Sequence, residues 1–482
     1  MAKTIRIFLL LSGLLFVVAQ TGSAQTESFI VAQAPESTPI RAEAAKTQKL
    51  ENTQAEQMRA APPAAPQNPP MPAQPQRPRR LTLEGAISAA LAQHPSLTQA
   101  RAAISAEDAR TGQARSGFFP QVSTSGFAKQ GLSGASGALG LRGLVTSPLF
   151  RDIGASAAIL QNVYDFGRTA HMVKASTWAS TSLRHALEAQ EALVTLNVRQ
   201  AYYNALEQQQ LIKVAERTLA DQQLIVRQAG VFYKTGVKSK VDLTLAEVGA
   251  SKANLELVQA RDLLSTAYAQ LNNAMGLDGD PGYDLEEPDI KLEQPPPLEP
   301  LLPKSLQQRP DLLALDAETR VGEELVARAE SNRWPKLMLL FSSGWVRFSD
   351  YSPGKLLLGA FGVDLPIFTA GQIKNQIAEA KANLAQTKAA REVLALNVRL
   401  QVQRAHTELL SAIEAVKATD PLTIQAREAV RLAQIRYRTQ LGSLLELTTA
   451  QTEATSAEAK HAEALYRYKM AQALLNYAAG GQ

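Results

Sequence analysis

The feature of this sequence that most constrains its fold is a heptad pattern that occurs twice, at an offset of 204 residues (450 − 246). In the first copy, small and aliphatic residues follow a strict 4-3 spacing: Ala246, Ala250, Ala253, Leu257, Ala260, Leu264, Ala267, Leu271 and Ala274. The corresponding positions of the second copy are Ala450, Ala454, Ala457, His461, Ala464, Tyr468, Ala471, Leu475 and Ala478. This spacing is typical of a coiled-coil seam, and the many alanines favour close approach of neighbouring helices.

Much of the remaining chain follows the same duplication. An offset of 215 residues (310 − 95) relates His94-Pro95 to Arg309-Pro310, and it also places Pro120 onto Pro335. The offset changes by 11 residues (215 − 204), which indicates an insertion in the first half. We therefore predict two structural repeats, residues 81–280 and 301–482, joined by a linker over residues 281–300 that contains three consecutive prolines.

Each repeat is predicted to contain a very long helix before its seam. The first of these helices runs from near Gly167 to near Phe232 without a proline. At about 1.5 Å per residue it spans about 100 Å. A compact globular domain has no room for such a helix, so the pattern indicates a wall of helices.

Two segments of alternating hydrophobicity, at about residues 120–166 and 335–368, are predicted to form strand hairpins. In the second hairpin, one face is predicted to carry Leu337, Leu339 and Phe341 from the first strand and Phe361, Val363, Leu365 and Ile367 from the second. Such a face suits lipid. Four strands per chain are too few for a transmembrane barrel, whose practical minimum is about eight, and an open edge in lipid leaves backbone groups unpaired. We therefore expect a barrel that is shared between subunits.

The N-terminal part is predicted to be an export signal followed by a tail. Lys3 and Arg6 precede an apolar run that is shorter than the roughly 20 residues of a membrane-spanning helix, and small residues follow as far as Ala24. We expect residues 1–24 to be a signal peptide. Residues 25–80 are rich in Ala, Gln and Pro and are predicted to be a disordered tail. No later stretch is long and uncharged enough to span a bilayer as a helix.

Composition and motifs argue against several classes of function. The 50 Lys and Arg residues barely exceed the 45 Asp and Glu residues and are spread along the chain, which argues against a nucleic-acid partner. The chain has no cysteine, which excludes disulfides, thiolate metal sites and a lipidated N-terminal cysteine. The five histidines lack metal-ligand spacing, and no nucleotide-binding or hydrolase motif occurs between a strand and a helix. We expect no catalytic, cofactor-binding or metal site.

Several short motifs resemble those of the TolC-like outer membrane factor family. They are Leu81-Thr82-Leu83-Glu84, His94-Pro95, Gly117-Phe118-Phe119-Pro120, Tyr164-Asp165-Phe166-Gly167-Arg168, Tyr233-Lys234-Thr235-Gly236 and Tyr437-Arg438-Thr439. The resemblance covers Leu81 to Gly480. It implies a mixed fold of α-helices and transmembrane β-strands, in which a homotrimer shares one twelve-stranded barrel that continues into a coiled-coil tunnel.

The same resemblance implies a function and a location. The barrel would lie in the lipid of the outer membrane and the helical tunnel in the periplasm. The protein would be the passive duct of a tripartite efflux or type I secretion system, docked onto a periplasmic adaptor protein and an inner-membrane pump.

The resemblance also assigns roles to the two turns that connect the long helices. It implies that the adaptor contacts Lys234, Thr235, Gly236, Val237, Ser239, Arg438, Thr439, Gly442 and Ser443. It implies that these turns close the periplasmic aperture, with Glu446 repeated as a three-fold ring of acids and Asp242 as its equivalent in the first repeat. Because such a ring filters by charge more than it locks, we expect closure of the aperture to rest on packing around Leu441, Leu444 and Leu445. The family's second acid is absent, because Thr449 occupies its position. The alternative role for Glu446 is a solvated carboxylate that stabilises a helix N-terminus through the helix dipole.

A rival hypothesis is an exported periplasmic coiled-coil adaptor or structural tether, whose helices would have the same seam. Adaptors of that kind have a biotin-like β-domain and no amphipathic hairpins in lipid. The two predicted hairpins therefore favour the channel.

Overall fold

The structure is a computed structural model that describes residues 79–132, 149–279, 283–347 and 354–481. All of these residues belong to one structural unit, Gln76–Gln482. The predicted signal peptide, the predicted tail as far as residue 78 and the connections within both hairpins lie outside the described residues.

The described residues form eight helices and six strands. In chain order these are β1 (Arg79–Leu81), α1 (Leu83–Gln93), α2 (Pro95–Ser116), β2 (Gln121–Leu132), β3 (Leu149–Tyr164), α3 (Arg168–Lys234), α4 (Lys240–Met275), β4 (Tyr283–Leu285), α5 (Leu298–Gln308), α6 (Pro310–Ser331), β5 (Lys336–Arg347), β6 (Gly354–Asp364), α7 (Gln372–Arg438) and α8 (Leu444–Ala478). The starts of α3 and α7 differ by 204 residues (372 − 168), and those of α2 and α6 by 215 (310 − 95). These are the two offsets found in the sequence.

Helices α3 and α7 dominate the fold. Each has 67 residues and is therefore about 100 Å long. Each begins after a glycine with positive φ, 89° at Gly167 and 86° at Gly371, a conformation that glycine adopts at little steric cost. Within the described part of the chain, no helix has both the length and the apolar character needed to cross a membrane.

The helices pack along the two predicted seams. Every residue of both heptad copies is buried or half-buried. Helix α4 packs against α3, and α8 packs against α7. One apolar cluster includes Tyr202 of α3 and Leu271 of α4, and a second includes Val402 of α7 and Leu475 of α8. The seam therefore holds each helix pair together within one chain.

Strands β2, β3, β5 and β6 form one antiparallel sheet in that spatial order. Residues paired across neighbouring strands share a face, so the pairing defines the two faces of the sheet. One face carries large apolar side chains that are each at least 38% exposed: Val122, Ile153, Ile159, Leu339, Phe341, Trp345, Leu357, Phe361 and Val363. The opposite face is richer in serine, with Ser123, Ser125, Ser156 and Ser342, and its exposed large apolar side chains are fewer: Leu160 and Leu358, 45% and 44% exposed.

The second hairpin ends earlier than its alternating pattern predicts. The pattern extends to Ile367, but strand β6 ends at Asp364. The last pair of the ladder joins Asp364 to Lys336, the first residue of β5, so Leu365 would lie opposite Pro335, which has no backbone N–H to donate. Ile367 and Phe368 lie beyond the sheet and are 92% and 88% exposed.

The sequence pattern also misses the short parallel pair of β1 and β4. The predicted tail extends to Arg80 and the predicted linker covers residues 281–300, whereas Arg79–Leu81 pairs with Tyr283–Leu285 and α5 already begins at Leu298. The buried Tyr202 hydroxyl lies 2.9 Å from the carbonyl oxygen of Leu81 and 3.0 Å from that of Glu286. A three-residue strand has no detectable period, and this contact with a distant helix is what fixes its position.

Candidate functional site

The candidate site consists of the two turns at the ends of the long helices, which we call tip 1 (residues 235–239, between α3 and α4) and tip 2 (residues 439–443, between α7 and α8). In tip 1 the Thr235 hydroxyl donates to the carbonyl oxygen of Val231 at 3.0 Å. Gly236 has a φ of 71°, which favours glycine. Ser239 then caps α4 by accepting the N–H of Asp242 at 3.3 Å.

Tip 2 repeats this geometry with one difference. The Thr439 hydroxyl donates to the carbonyl oxygen of Ile435 at 3.0 Å, and Ser443 caps α8 by accepting the N–H of Glu446 at 3.1 Å. Gln440 occupies the position of Gly236 and has a φ of 65°. A left-handed conformation is uncommon for a residue with a side chain, so tip 2 is the more strained of the two turns.

The acid of each tip is engaged within its own turn. The Asp242 carboxylate accepts the N–H of Ser239 at 3.2 Å and its hydroxyl at 3.1 Å, which completes a capping box. Glu446 makes a different contact, because its Oε1 lies 2.9 Å from Nε of Arg436. No motif or spacing in the sequence marks Arg436 as a site residue. The turn brings it beside an acid ten residues further along the chain (446 − 436).

The three leucines predicted at the aperture lie in different environments. Leu444 is 3% exposed and belongs to a cluster with Ile225, Ala229, Ala246, Ala433, Tyr437 and Leu447, which we call the tip cluster. Leu441 and Leu445 are 76% and 74% exposed. Leu444 therefore packs within the chain, while Leu441 and Leu445 are available for contacts with other molecules.

Seven of the nine residues predicted to contact an adaptor lie in the two tips, and Lys234 and Arg438 immediately precede them. Gly442 is half-buried, and the other eight are exposed: Lys234, Thr235, Gly236, Val237, Ser239, Arg438, Thr439 and Ser443. A Cβ atom on Gly442 would lie only 2.9 Å from Cβ of Arg436. Glycine is therefore the residue that fits tip 2 at this position.

Tyr437, which precedes tip 2, packs against Phe232, which precedes tip 1. Its side chain is fully buried, and its ring lies 5.7 Å from that of Phe232, centroid to centroid, in an edge-to-face arrangement. Its hydroxyl has no hydrogen-bond partner among the described residues. Burial raises the pKa of the Tyr437 hydroxyl, and the negative charge of Asp242 contributes to the same shift. The repeat-equivalent Tyr233 is 43% exposed, so the equivalence alone does not predict this role.

An open cavity of about 500 Å³ lies near the tips, between α4 and α8. Lys252 and Glu256 of α4 and Thr452 of α8 line it. Gln222 of α3 also lines it and donates to the side-chain carbonyl of Gln451 at 3.1 Å. These groups can hydrogen-bond a polar side chain.

The five histidines each have a different local partner. His94 caps α2, His171 pairs with Glu324, His185 with Glu188, His406 contacts the carbonyl oxygen of Pro296, and His461 contacts Thr419. Among the described residues, no group of three or more His, Asp or Glu side chains is placed to hold a metal ion.

Comparison with known proteins identifies the family. Residues 86–277 and 301–481, more than half of the chain, match the family model described as outer membrane efflux protein. The chain therefore belongs to the outer membrane efflux protein family, and the resemblance found in its short motifs is confirmed. It is an outer membrane protein, as that resemblance implies.

Individual relatives and solved structures agree with this assignment. The chain is 25% identical over 363 residues to the toluene efflux pump outer membrane protein TtgC of Pseudomonas putida, with 71% of each chain covered. It is 22% identical over 414 residues to the outer membrane protein TolC of Escherichia coli, with 80% of each chain covered. Its fold is similar to that of the outer-membrane channel OprN, with a TM-score of 0.72 and 18% identity over 87% of this chain and 97% of that chain. Two of the three are named for transport, TtgC as part of an efflux pump and OprN as a channel.

Proposed function

We propose that three copies of this chain form a passive duct across the outer membrane and the periplasm. The observation that carries the proposal is the four-stranded antiparallel sheet whose large exposed apolar side chains are concentrated on one face. Two of its strands, β3 and β6, lead within three and seven residues into helices of 67 residues. Three such sheets supply twelve strands, which exceeds the minimum of about eight for a closed transmembrane barrel. The long helices of the three chains then continue the barrel as a coiled-coil tunnel in the periplasm.

The two halves of the chain, residues 81–280 and 301–482, are repeats that arose by duplication. The offsets of their helices support this, because α1/α5 and α2/α6 are both offset by 215 residues (298 − 83, 310 − 95) and α3/α7 and α4/α8 both by 204 (372 − 168, 444 − 240). Each repeat contributes one hairpin to the barrel and one long helix pair to the tunnel. The trimer therefore presents six helix pairs, three ending in tip 1 and three in tip 2.

The duct works as one component of a tripartite efflux or type I secretion system. The Pseudomonas putida relative is named as the outer membrane protein of a toluene efflux pump, which supports a pump partner. An inner-membrane pump delivers the substrate, and a periplasmic adaptor protein contacts the exposed residues of the two tips. Because the lumen of such a duct makes few specific contacts, substrate choice lies with the pump.

The periplasmic end of the tunnel is narrowed at tip 2. Three copies of Glu446 form a ring, with Asp242 of tip 1 nearby, and the exposed Leu441 and Leu445 side chains make the closing contacts between chains. Two unit charges about 6 Å apart in water interact by only about 0.7 kcal/mol, so electrostatic forces between the acids are too weak to lock the aperture by themselves. Opening is then a rigid-body shift of the helix pair that the adaptor contacts.

Membrane fractionation tests the channel against the rival adaptor or tether. The channel partitions into the outer membrane as an SDS-resistant, heat-modifiable oligomer with three times the mass of the mature chain. A chain found in the soluble periplasmic fraction, or one that never forms such an oligomer, contradicts the proposal and favours the rival.

A further inference from the structure

An arginine side chain pairs with the acid of tip 2, whereas no cationic side chain among the described residues forms a salt bridge with the acid of tip 1. Nε of Arg436 lies 2.9 Å from Oε1 of Glu446. The residue equivalent to Arg436 in the first repeat is Phe232 (436 − 204), so no arginine stands beside the acid of tip 1 from this position. The acid of tip 1, Asp242, instead accepts hydrogen bonds from the backbone N–H and the hydroxyl of Ser239.

The turn itself places Arg436 over Glu446. The carbonyl oxygen of Arg436 accepts the N–H groups of Leu441 and Gly442, each at 2.9 Å, so the main chain of Arg436 is fixed to the turn. A Cβ atom on Gly442 would lie 2.9 Å from Cβ of Arg436 and 3.2 Å from Oε2 of Glu446. Any larger residue at 442 would push the two charged side chains apart. The pairing is therefore a consequence of the backbone of tip 2 and the absence of a side chain on Gly442.

We propose that Arg436 is a specificity-determining residue of the duct, because it compensates the charge of Glu446. Each chain then presents an Arg436–Glu446 pair at the aperture rather than a bare carboxylate. This inference rests on the proposed function, since it requires tip 2 to line the aperture. The three-fold ring is electrically neutral and has only a weak preference for cations.

The pair matters for conduction more than for folding. The Arg436 and Glu446 side chains are 55% and 43% exposed, and exposed ion pairs contribute little to stability. An ion in a narrow aperture nevertheless feels the net charge at short range. A single uncompensated charge about 6 Å from a monovalent ion in water changes the local concentration of that ion about threefold. Removing one partner of the pair therefore exposes the charge of the other.

The test is the reversal potential and trivalent-cation block of purified trimers in planar bilayers under a KCl gradient at low ionic strength, where screening is weak. Arg436→Gln should raise the preference for K⁺ over Cl⁻ by at least about threefold and strengthen block by hexamminecobalt(III) added on the periplasmic side. Glu446→Gln should reverse the preference towards Cl⁻, because three arginines then lack their acids. Arg436→Lys keeps the charge and should remain near wild type.

Two further variants separate the pair from general charge effects. In the Glu446→Gln background, Arg436→Gln should no longer strengthen hexamminecobalt block, since the acid that binds the blocker is missing. The matched control is Arg431→Gln on the same helix, which removes an arginine of similar exposure that pairs with Glu428. Arg431→Gln should leave reversal potential and block unchanged. All variants are first checked for SDS-resistant trimers.

The outcomes distinguish this inference from the proposed function beneath it. If Glu446→Gln changes selectivity but Arg436→Gln does not, the aperture position stands and the charge compensation is wrong. If neither variant changes selectivity or block in a conducting trimer, tip 2 does not line the aperture. The aperture assignment and the charge compensation are then both wrong, while the conducting trimer still supports the duct. An equal effect of Arg436→Gln and Arg431→Gln also overturns the inference, because the effect would then be one of overall charge.

Discussion

Two adjacent leucines of strand β5 offer a sharp test of which face of the sheet meets lipid. Leu339 lies on the apolar face, where it is 46% exposed and pairs with Phe361 of β6. Leu340 lies on the opposite face and pairs with Ala360. We expect Leu339→Arg to destabilise the barrel and Leu340→Arg to be tolerated. The two variants introduce the same residue one position apart.

The size of the effect follows from the position of Leu339 along the strand. Strand β5 has 12 residues, so Leu339 lies two to three residues from its middle. With a rise of about 3.3 Å per residue and a tilt of about 40°, this is about 6 Å from the bilayer mid-plane. An arginine facing lipid costs about 2–4 kcal/mol at the mid-plane and about 0–1 kcal/mol at the interfaces, so about 1–3 kcal/mol is expected here. The barrel proposed above is shared by three chains and would carry the substitution three times, which brings the expected total to about 3–9 kcal/mol.

The assay compares wild type, Leu339→Arg and Leu340→Arg for the fraction of chain recovered as SDS-resistant oligomer in the outer membrane and for the temperature at which that oligomer dissociates. Leu339→Arg should lower both values clearly, and Leu340→Arg should stay close to wild type. Equal losses in the two variants, or a larger loss in Leu340→Arg, would refute the assignment of the faces.

Three further predictions concern the helices and the tail. Leu444→Ala in the tip cluster should cost about 2–5 kcal/mol per chain, seen as a lower thermal midpoint by circular dichroism, whereas Leu445→Ala at an exposed position should cost under about 0.5 kcal/mol. Burial, with a contribution from Glu463, raises the pKa of Glu207 from its ordinary value of 4.5 to about 7, so the folded state favours the protonated acid. The free energy of unfolding therefore falls as the pH rises from 4.5 through 7. Glu207→Gln should therefore raise the thermal midpoint above pH 7 and leave it unchanged below pH 4.5. Deleting Thr26 to Gln76 should leave oligomer assembly on SDS gels intact, because the family match begins at residue 86.

The sequence predicts the regular parts of the fold because they have periods. The heptad copies give the seams of α4 and α8, and the proline-free stretch after Gly167 gives the length of α3. Alternation places both hairpins. It predicts too long a strand β6, because alternate apolar residues continue as far as Ile367 whereas the hydrogen-bond ladder ends at Asp364. The pairing of β1 with β4 has no local pattern at all.

The candidate site shows the same division. The family motifs locate the two tips. Sequence reasoning alone groups Leu444 with Leu441 and Leu445 at the aperture, and only the packing across the helix pair shows that Leu444 is internal. The partner of Glu446 is not visible in any spacing rule either. Arg436 precedes it by ten residues, and the two meet only because the chain reverses at Gly442.

The most direct test of the shared duct is single-channel conductance of purified, SDS-resistant trimers in planar bilayers. The proposed duct predicts discrete steps of uniform size in the wild type. It also predicts larger steps when Leu441→Ala and Leu445→Ala are combined, because the closing contacts at the aperture are then removed. A trimer that inserts into the bilayer but gives no discrete steps, in the wild type and in this double variant alike, would contradict the proposal that three chains enclose a continuous channel.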